Sequence, residues 1–271
     1  MQFNIGRHVD YRRFVIVSHL RSGTHLLRTS LESHPAIVCQ TEVFNSDDRA
    51  LPYPLSTPTA EILDQWVYRN FPPEIRCVGF VLQDYHPWGL KVVPGIRENP
   101  LWADVWPRLV AMKDLRVIHL RRDNLLRRHL SHVMARQTGN WHAWDRDRVD
   151  KVSHLTPPPR ADSQVLGRPA VTLDPARLAL DFEEIEHLHR TVVERFQHHP
   201  FCSISYEALI RDFHGVCRQV LEFLGVSDIS LTAAVAKLEQ RSIFESIVNY
   251  HALKRQFSGT RWERFFDEEE E

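Results

Sequence analysis

The run Phe14-Val15-Ile16-Val17 constrains this chain most, because it leads straight into a loop of unusual composition. It passes through Ser18-His19-Leu20 into Arg21-Ser22-Gly23-Thr24, and helical spacing begins at once. Four apolar residues without polar alternation suit a strand buried on both faces of a parallel sheet. Leu26, Leu27 and Leu31, with polar residues between them, predict an amphipathic helix ending near Ser33, ahead of Pro35. Strand, Ser/Gly loop and helix together make an anion cradle: the first helical turn presents uncapped N–H groups and the positive end of the helix dipole. Gly23 permits close backbone approach, Ser22 and Thr24 add hydroxyls, and Arg21 adds a permanent forked charge. No acidic residue follows Phe14 until Glu32, which keeps the first turn electropositive. A plain strand–helix turn with a serine cap has the same local pattern. The loop is not a Walker A motif, since GxxxxGK[ST] and its lysine are absent.

Further strands are expected at 36–39, 77–82, 116–120 and 201–206, and helices at 60–70, 125–138, from Pro175 to about 197, and 207–225 closed by Gly225. On the long helix, Leu178, Phe182, Ile185, Leu188 and Val192 form one stripe. Residues 45–60, with five prolines and serines, are expected to be a loop, and 150–172, with Pro157-Pro158-Pro159, a mobile excursion. Alternating strands and helices predict an α/β fold with a parallel sheet. With 271 residues, 43% of them hydrophobic, the chain can bury a sizeable core, as one larger domain or two small ones. A net charge of −1 argues against a general nucleic-acid binder, so any anion site is local. Four scattered cysteines without CxxC spacing fit a reducing compartment. The first residues lack a signal-peptide core and no apolar run is long enough to span a bilayer, so a cytoplasmic location is expected.

A second segment repeats the logic of the first. The strand 116–120 runs into Arg121-Arg122 and then a helix carrying Ser131. Basic residues at the carboxyl end of a parallel strand lie where open α/β sheets bind ligands. Arg127 and Arg128, on the helix itself, are read as a solvated basic face. His129 and His132 stand one turn apart with no third metal ligand in view, and are read as helix surface. Trp141, His142 and Trp144 suit stacking on a sugar or an adenine and equally suit core packing.

Taken in order, four segments resemble the PAPS-dependent sulfotransferases, in particular the bacterial carbohydrate enzymes of the nodulation-factor and trehalose-sulfotransferase type. "RSGTHLLRTSLESHP" is similar to the family's 5′-phosphosulfate loop and "RRDNLLRRHLSH" to its 3′-phosphate segment. "ISYEALIRDFHGVCRQVLEFLGV" and "IVNYHALKRQFSGTRW" resemble its later Tyr-Glu helix and C-terminal segment. Two departures stand out. Ser131 lies nine residues after Arg122 and ten after Arg121, where eight is usual, and Val81 replaces a lysine in "GFVL".

The resemblance implies a P-loop-like parallel sheet flanked by helices, as one domain over 1–271 with mobile loops about 45–60 and 145–172. It implies sulfuryl transfer from PAPS to an acceptor hydroxyl, with release of PAP and without a metal. Arg21 would face the leaving bridging oxygen. Ser22, Gly23, Thr24, His25 and Leu26 would hold the phosphosulfate. Arg122, favoured over Arg121, and Ser131 would hold the 3′-phosphate, and Thr260 and Trp262 would close over the nucleotide. Glu42 in "CQTEVFN" matches a glutamate of nodulation-type relatives and is the favoured general base, with His86 in "DYHPW" the rival. A carbohydrate or glycolipid is the default acceptor, and a homodimer stays open because some relatives are dimers. A P-loop phosphotransferase predicts a Walker lysine and a magnesium-binding acid, neither of which stands out here. A non-catalytic nucleotide-binding protein predicts loss of the base, yet Glu42 and His86 are both present.

Overall fold

The computed structural model describes residues 10–45, 51–83, 100–139, 141, 169–235 and 242–267. His86, His142, Trp144, positions 46–50 of the first loop and most of the 145–172 stretch lie outside the described residues.

Five strands form one parallel sheet: β1 (Arg12–Ser18), β2 (Ile37–Glu42), β3 (Cys77–Gln83), β4 (Arg116–Arg121) and β5 (Phe201–Ser205), in the order β2-β3-β1-β4-β5. The chain leaves β1 towards β2 and β3 on one side, then crosses to β4 and β5 on the other. β1 is therefore flanked by β3 and β4, and the gap between the carboxyl ends of β1 and β4 is a topological switch point. The two basic segments read from sequence meet there.

Helix α1 (Thr24–Glu32) follows β1 directly. The 60–70 helix is α2 (Thr59–Glu61) continued by a π-helical turn, Ile62–Val67. α3 (Val105–Ala111) precedes β4. α4 (Leu125–Thr138) starts on Asn124, whose side chain accepts a hydrogen bond from the Arg127 amide, and ends on the left-handed Gly139. α5 (Pro175–Arg195) has Asp174 as cap and Pro175 in its first turn, and its five stripe residues are all buried. The expected single helix over 207–225 is two helices, α6 (Tyr206–Arg211) and α7 (Phe213–Leu224). Asp212 divides them because its carboxylate caps the second helix through the Gly215 amide, which takes its backbone out of helical geometry. α8 (Ile243–Ser246), α9 (Tyr250–Phe257) and a 3₁₀ turn (Glu263–Phe266) complete the described chain.

Alternate residues of the central strands bury in opposite directions. Val15, Val17, Phe80 and Val117 join Trp102 and Phe196 on one face, and Phe14, Ile16, Ile118 and Leu120 join α1 and α7 on the other. A third cluster joins α4, α5 and α9. Val171, at the end of the proline-rich stretch, is buried and bridges Ile247, so this end is docked rather than a free excursion. No helix of the described residues is long and apolar enough to cross a membrane.

Glu32, on the inner face of α1, meets Arg28 at 2.6 Å, and both are buried. Burial outweighs the ion pair and raises the Glu32 carboxyl to about 7. A raised carboxyl stabilises the fold in its protonated form, fully below about pH 4.5, and that contribution is lost as pH rises through about 7. Glu32→Gln should remove this slope. In urea unfolding at pH 5 and pH 7.5, the variant should lose less stability between the two than wild type, by on the order of 1–3 kcal/mol. Equal losses would show that Glu32 titrates normally.

Candidate active site

The loop between β1 and α1 departs from ordinary backbone at two points. Arg21 has φ 66° and Gly23 φ 87°, both left-handed. The turn lets α1 begin with no side-chain cap and no acid in its first turn, so its leading amides face the loop unmasked by a side chain. A Cβ on Gly23 would lie 2.4 Å from the Tyr206 ring, so only glycine lets the loop pass. Ser22 is almost fully buried, yet its hydroxyl has no hydrogen-bond partner among the described residues. Thr24 Oγ1 accepts from Gln83 Nε2 at 2.9 Å, which ties the start of α1 to the end of β3.

The second basic segment closes on the first. Arg21 Nε donates to Ser131 Oγ at 3.0 Å, and its Nη1 donates to the Trp141 carbonyl. Arg122 Nη1 donates to the Arg21 carbonyl at 3.3 Å. The Arg122 guanidinium stacks over the Tyr206 ring at 4.7 Å, and its Nε stands 3.9 Å from Glu207. Arg121 is more exposed and pairs with Asp123. Glu207 accepts from the Asp123 and Asn124 amides at 2.9 and 3.1 Å, which fixes the entrance to α4. The dipeptide Tyr206-Glu207 is thus a joint between the cradle loop and the second basic segment. "YEAL" was visible in sequence as a family pattern, but nothing local marked these side chains as part of the site.

Glu42 ends β2, just past a register shift at Gln40/Glu42. Its Oε1 lies 3.7 Å from His25 Nε2, and its Oε2 accepts from Asn45 Nδ2 at 3.1 Å. The first turn of α1 carries no acid of its own, but the fold brings this carboxylate beside it.

Arg128 is not part of a solvated basic face. It is 2% exposed and ion-paired with Asp181, which also binds His129 Nδ1 at 2.9 Å. The α4 surface that looked polar in sequence turns inward because α5 brings an acid to meet it. Among the described residues no group of three or more His, Cys, Asp or Glu could hold a metal ion.

Thr260 and Trp262 sit in the turn after α9. Thr260 Oγ1 donates to the Phe257 carbonyl at 2.6 Å. Trp262 is buried against Phe182 and Phe257, and its indole N–H donates to Glu186. Two residues further on, Arg264 and Phe265 reach a cavity of about 590 Å³ at the entrance to α4. Arg121, Arg122, Glu207 and His189 line it with them.

The nodulation protein H of Rhizobium tropici is 30% identical to this chain over 259 residues, covering 94% of the chain and 92% of that protein. The chain belongs to the nodulation protein H family. Two nodulation H proteins of Rhizobium meliloti, one from strain 1021, are each 29% identical over 94% of the chain. The family is one of bacterial sulfotransferases, and its nodulation H members cover 94% of the chain. No family model matches the chain. Two solved structures are similar at lower identity. A sulfotransferase from Alicyclobacillus acidocaldarius is 18% identical, covers 90% of each chain and has a TM-score of 0.42. The sulfotransferase domain of the Synechococcus PCC 7002 olefin synthase is 17% identical, covers 93% of this chain and 86% of its own, and has a TM-score of 0.36.

Proposed function

We propose that this nodulation H family sulfotransferase takes its sulfuryl group from PAPS and delivers it to a hydroxyl of a carbohydrate or glycolipid. The observation that carries the reading is the hydrogen bond from Arg21 to Ser131, with Arg122 bound to the Arg21 carbonyl. It merges two anion segments, far apart in sequence, into one site suited to a donor with phosphate at both ends. The residues present fit such a donor: a buried serine hydroxyl lacks a partner among the described residues, and a glycine occupies a position that any Cβ would block.

In this reading Ser22, Gly23, Thr24, His25 and Leu26 hold the phosphosulfate through backbone amides and hydroxyls, while Arg122 and Ser131 hold the 3′-phosphate. PAPS supplies the activated sulfuryl group; the protein supplies position and charge. Glu42 takes the proton of the acceptor hydroxyl as its oxygen bonds to sulfur, and Arg21 neutralises the charge that develops on the bridging oxygen leaving with PAP. Asn45 holds one oxygen of Glu42 and leaves the other directed at the cradle. Thr260 and Trp262 shape the turn that carries Arg264 and Phe265 to the cavity beside Arg122.

Calorimetric titration with PAP, with ATP and ADP plus magnesium as controls, tests the donor. Wild type should bind PAP well and the controls weakly. Arg122→Ala should weaken PAP by roughly 30- to 100-fold, the worth of a desolvated charge-assisted contact. No PAP binding, or tighter binding of ATP with magnesium, would replace this reading with a phosphotransferase.

A further inference from the structure

Behind the cradle lies a buried polar chain that the reaction as described does not use. His19 is the first residue after β1, two residues before Arg21, and is 8% exposed. Its Nδ1 stands 3.2 Å from Arg128 Nη1. Arg128, nearly inaccessible, also donates to Asp181 on α5, and Asp181 holds His129 Nδ1 at 2.9 Å. Arg128 lies three residues before Ser131, so the two project from one face of α4. The cradle loop therefore meets α4 through two ties in register: His19 to Arg128, and Arg21 to Ser131.

A guanidinium has only donors, so the 3.2 Å contact with Arg128 Nη1 is a hydrogen bond when His19 Nδ1 accepts and the ring proton lies on Nε2, and we assign that tautomer. The approach of Nδ1 to the Leu20 carbonyl at 3.3 Å is then not a hydrogen bond, because both atoms are acceptors. Burial and the neighbouring Arg128 charge both hold the imidazole well below its ordinary pKa, which agrees with a neutral ring. Burial pushes the Asp181 carboxyl up, but Arg128 and His129 outweigh it and leave it ionised, as a partner for a buried guanidinium must be.

We propose that Arg128 and Asp181 are positioning residues for the donor site: through Nδ1 of neutral His19 they set the cradle loop at the distance from α4 that lets one ligand bridge the loop and Ser131. This rests on the PAPS reading above. Nothing in the chain requires the donor to touch either residue. Their effect passes through the loop.

The test compares PAP affinity, by calorimetry on the full chain, in wild type, Asp181→Asn, His19→Ala and His19→Asn, with thermal melts to confirm folding. His19→Asn keeps an acceptor near the Nδ1 position and should bind PAP within about twofold of wild type. His19→Ala and Asp181→Asn should weaken PAP by about tenfold. Imidazole ¹⁵N spectra of wild type should show His19 with its proton on Nε2. If Asp181→Asn does not fold, the His19 pair and the spectrum decide alone. Equal PAP affinity in His19→Ala and wild type, or no advantage of His19→Asn over His19→Ala, would reduce the chain to ordinary structural support and overturn the inference. So would a ring protonated on Nδ1. Failure of wild type itself to bind PAP would overturn the donor reading, and this inference with it.

Discussion

Glu42→Gln should bind PAP as wild type does and transfer almost nothing. The amide is isosteric, and its carbonyl oxygen can still accept from Asn45 Nδ2, so the end of β2 keeps its shape. What is lost is the oxygen that faces His25 at 3.7 Å as a proton acceptor. A positioned general base contributes roughly 10²- to 10⁴-fold, so kcat with labelled PAPS and an acceptor hydroxyl should fall by on the order of 10³. The PAP dissociation constant should stay within about twofold, since in the proposed site the donor contacts come from the loop and α4. The two readouts together separate a base from a support. Weakened PAP binding would make Glu42 a structural partner of His25. Transfer near the wild-type rate would move the base to His86.

Gly23→Ala should damage both the fold and donor binding. Two penalties coincide at this position. The backbone is left-handed, which costs an L residue about 1–2 kcal/mol. The new Cβ would also meet the Tyr206 ring at 2.4 Å. That ring cannot swing aside at little cost, because the Arg122 guanidinium is stacked over it at 4.7 Å. Overpacking of this kind adds about 1–3 kcal/mol. Relief comes most readily by moving the loop away from Tyr206, which would disturb the proposed phosphosulfate contacts. Thermal unfolding should therefore show a clear loss of stability, and PAP affinity should fall by about 100-fold or more. A variant that melts and binds PAP like wild type would mean that the loop has slack, and the glycine would have no steric role in the site.

These two residues were legible to different degrees. Gly23 stood out because strand, Ser/Gly loop and helix form a local pattern, and local patterns survive folding when both flanking elements are strongly periodic. For the same reason α4 spans the residues expected of it, from Leu125 to Thr138. Glu42 was legible only through family likeness, since nothing in "CQTEVFN" reports that α1 brings His25 to it. Arg128 was not legible at all. A helical arginine flanked by Arg127 and His129 has the pattern of a wet surface, and only the arrival of Asp181, 53 residues on, makes it interior. The break at Asp212 was hidden because the apolar periodicity runs through it, while the cap that ends one helix and starts the next is a single side-chain hydrogen bond.

Sequence alone determined the alternation of strands and helices, the parallel sheet and the electropositive loop at the end of β1. These follow from residue periodicity and from the backbone freedom of a few positions, both of which act over a handful of residues. Only the tertiary structure decided that β1 and β4 are neighbours, that Arg21 bonds Ser131 across 110 residues of chain, and that Tyr206 and Glu207 lock the two basic segments together. Those contacts depend on strand order, and strand order is set by how whole elements bury their faces against one another.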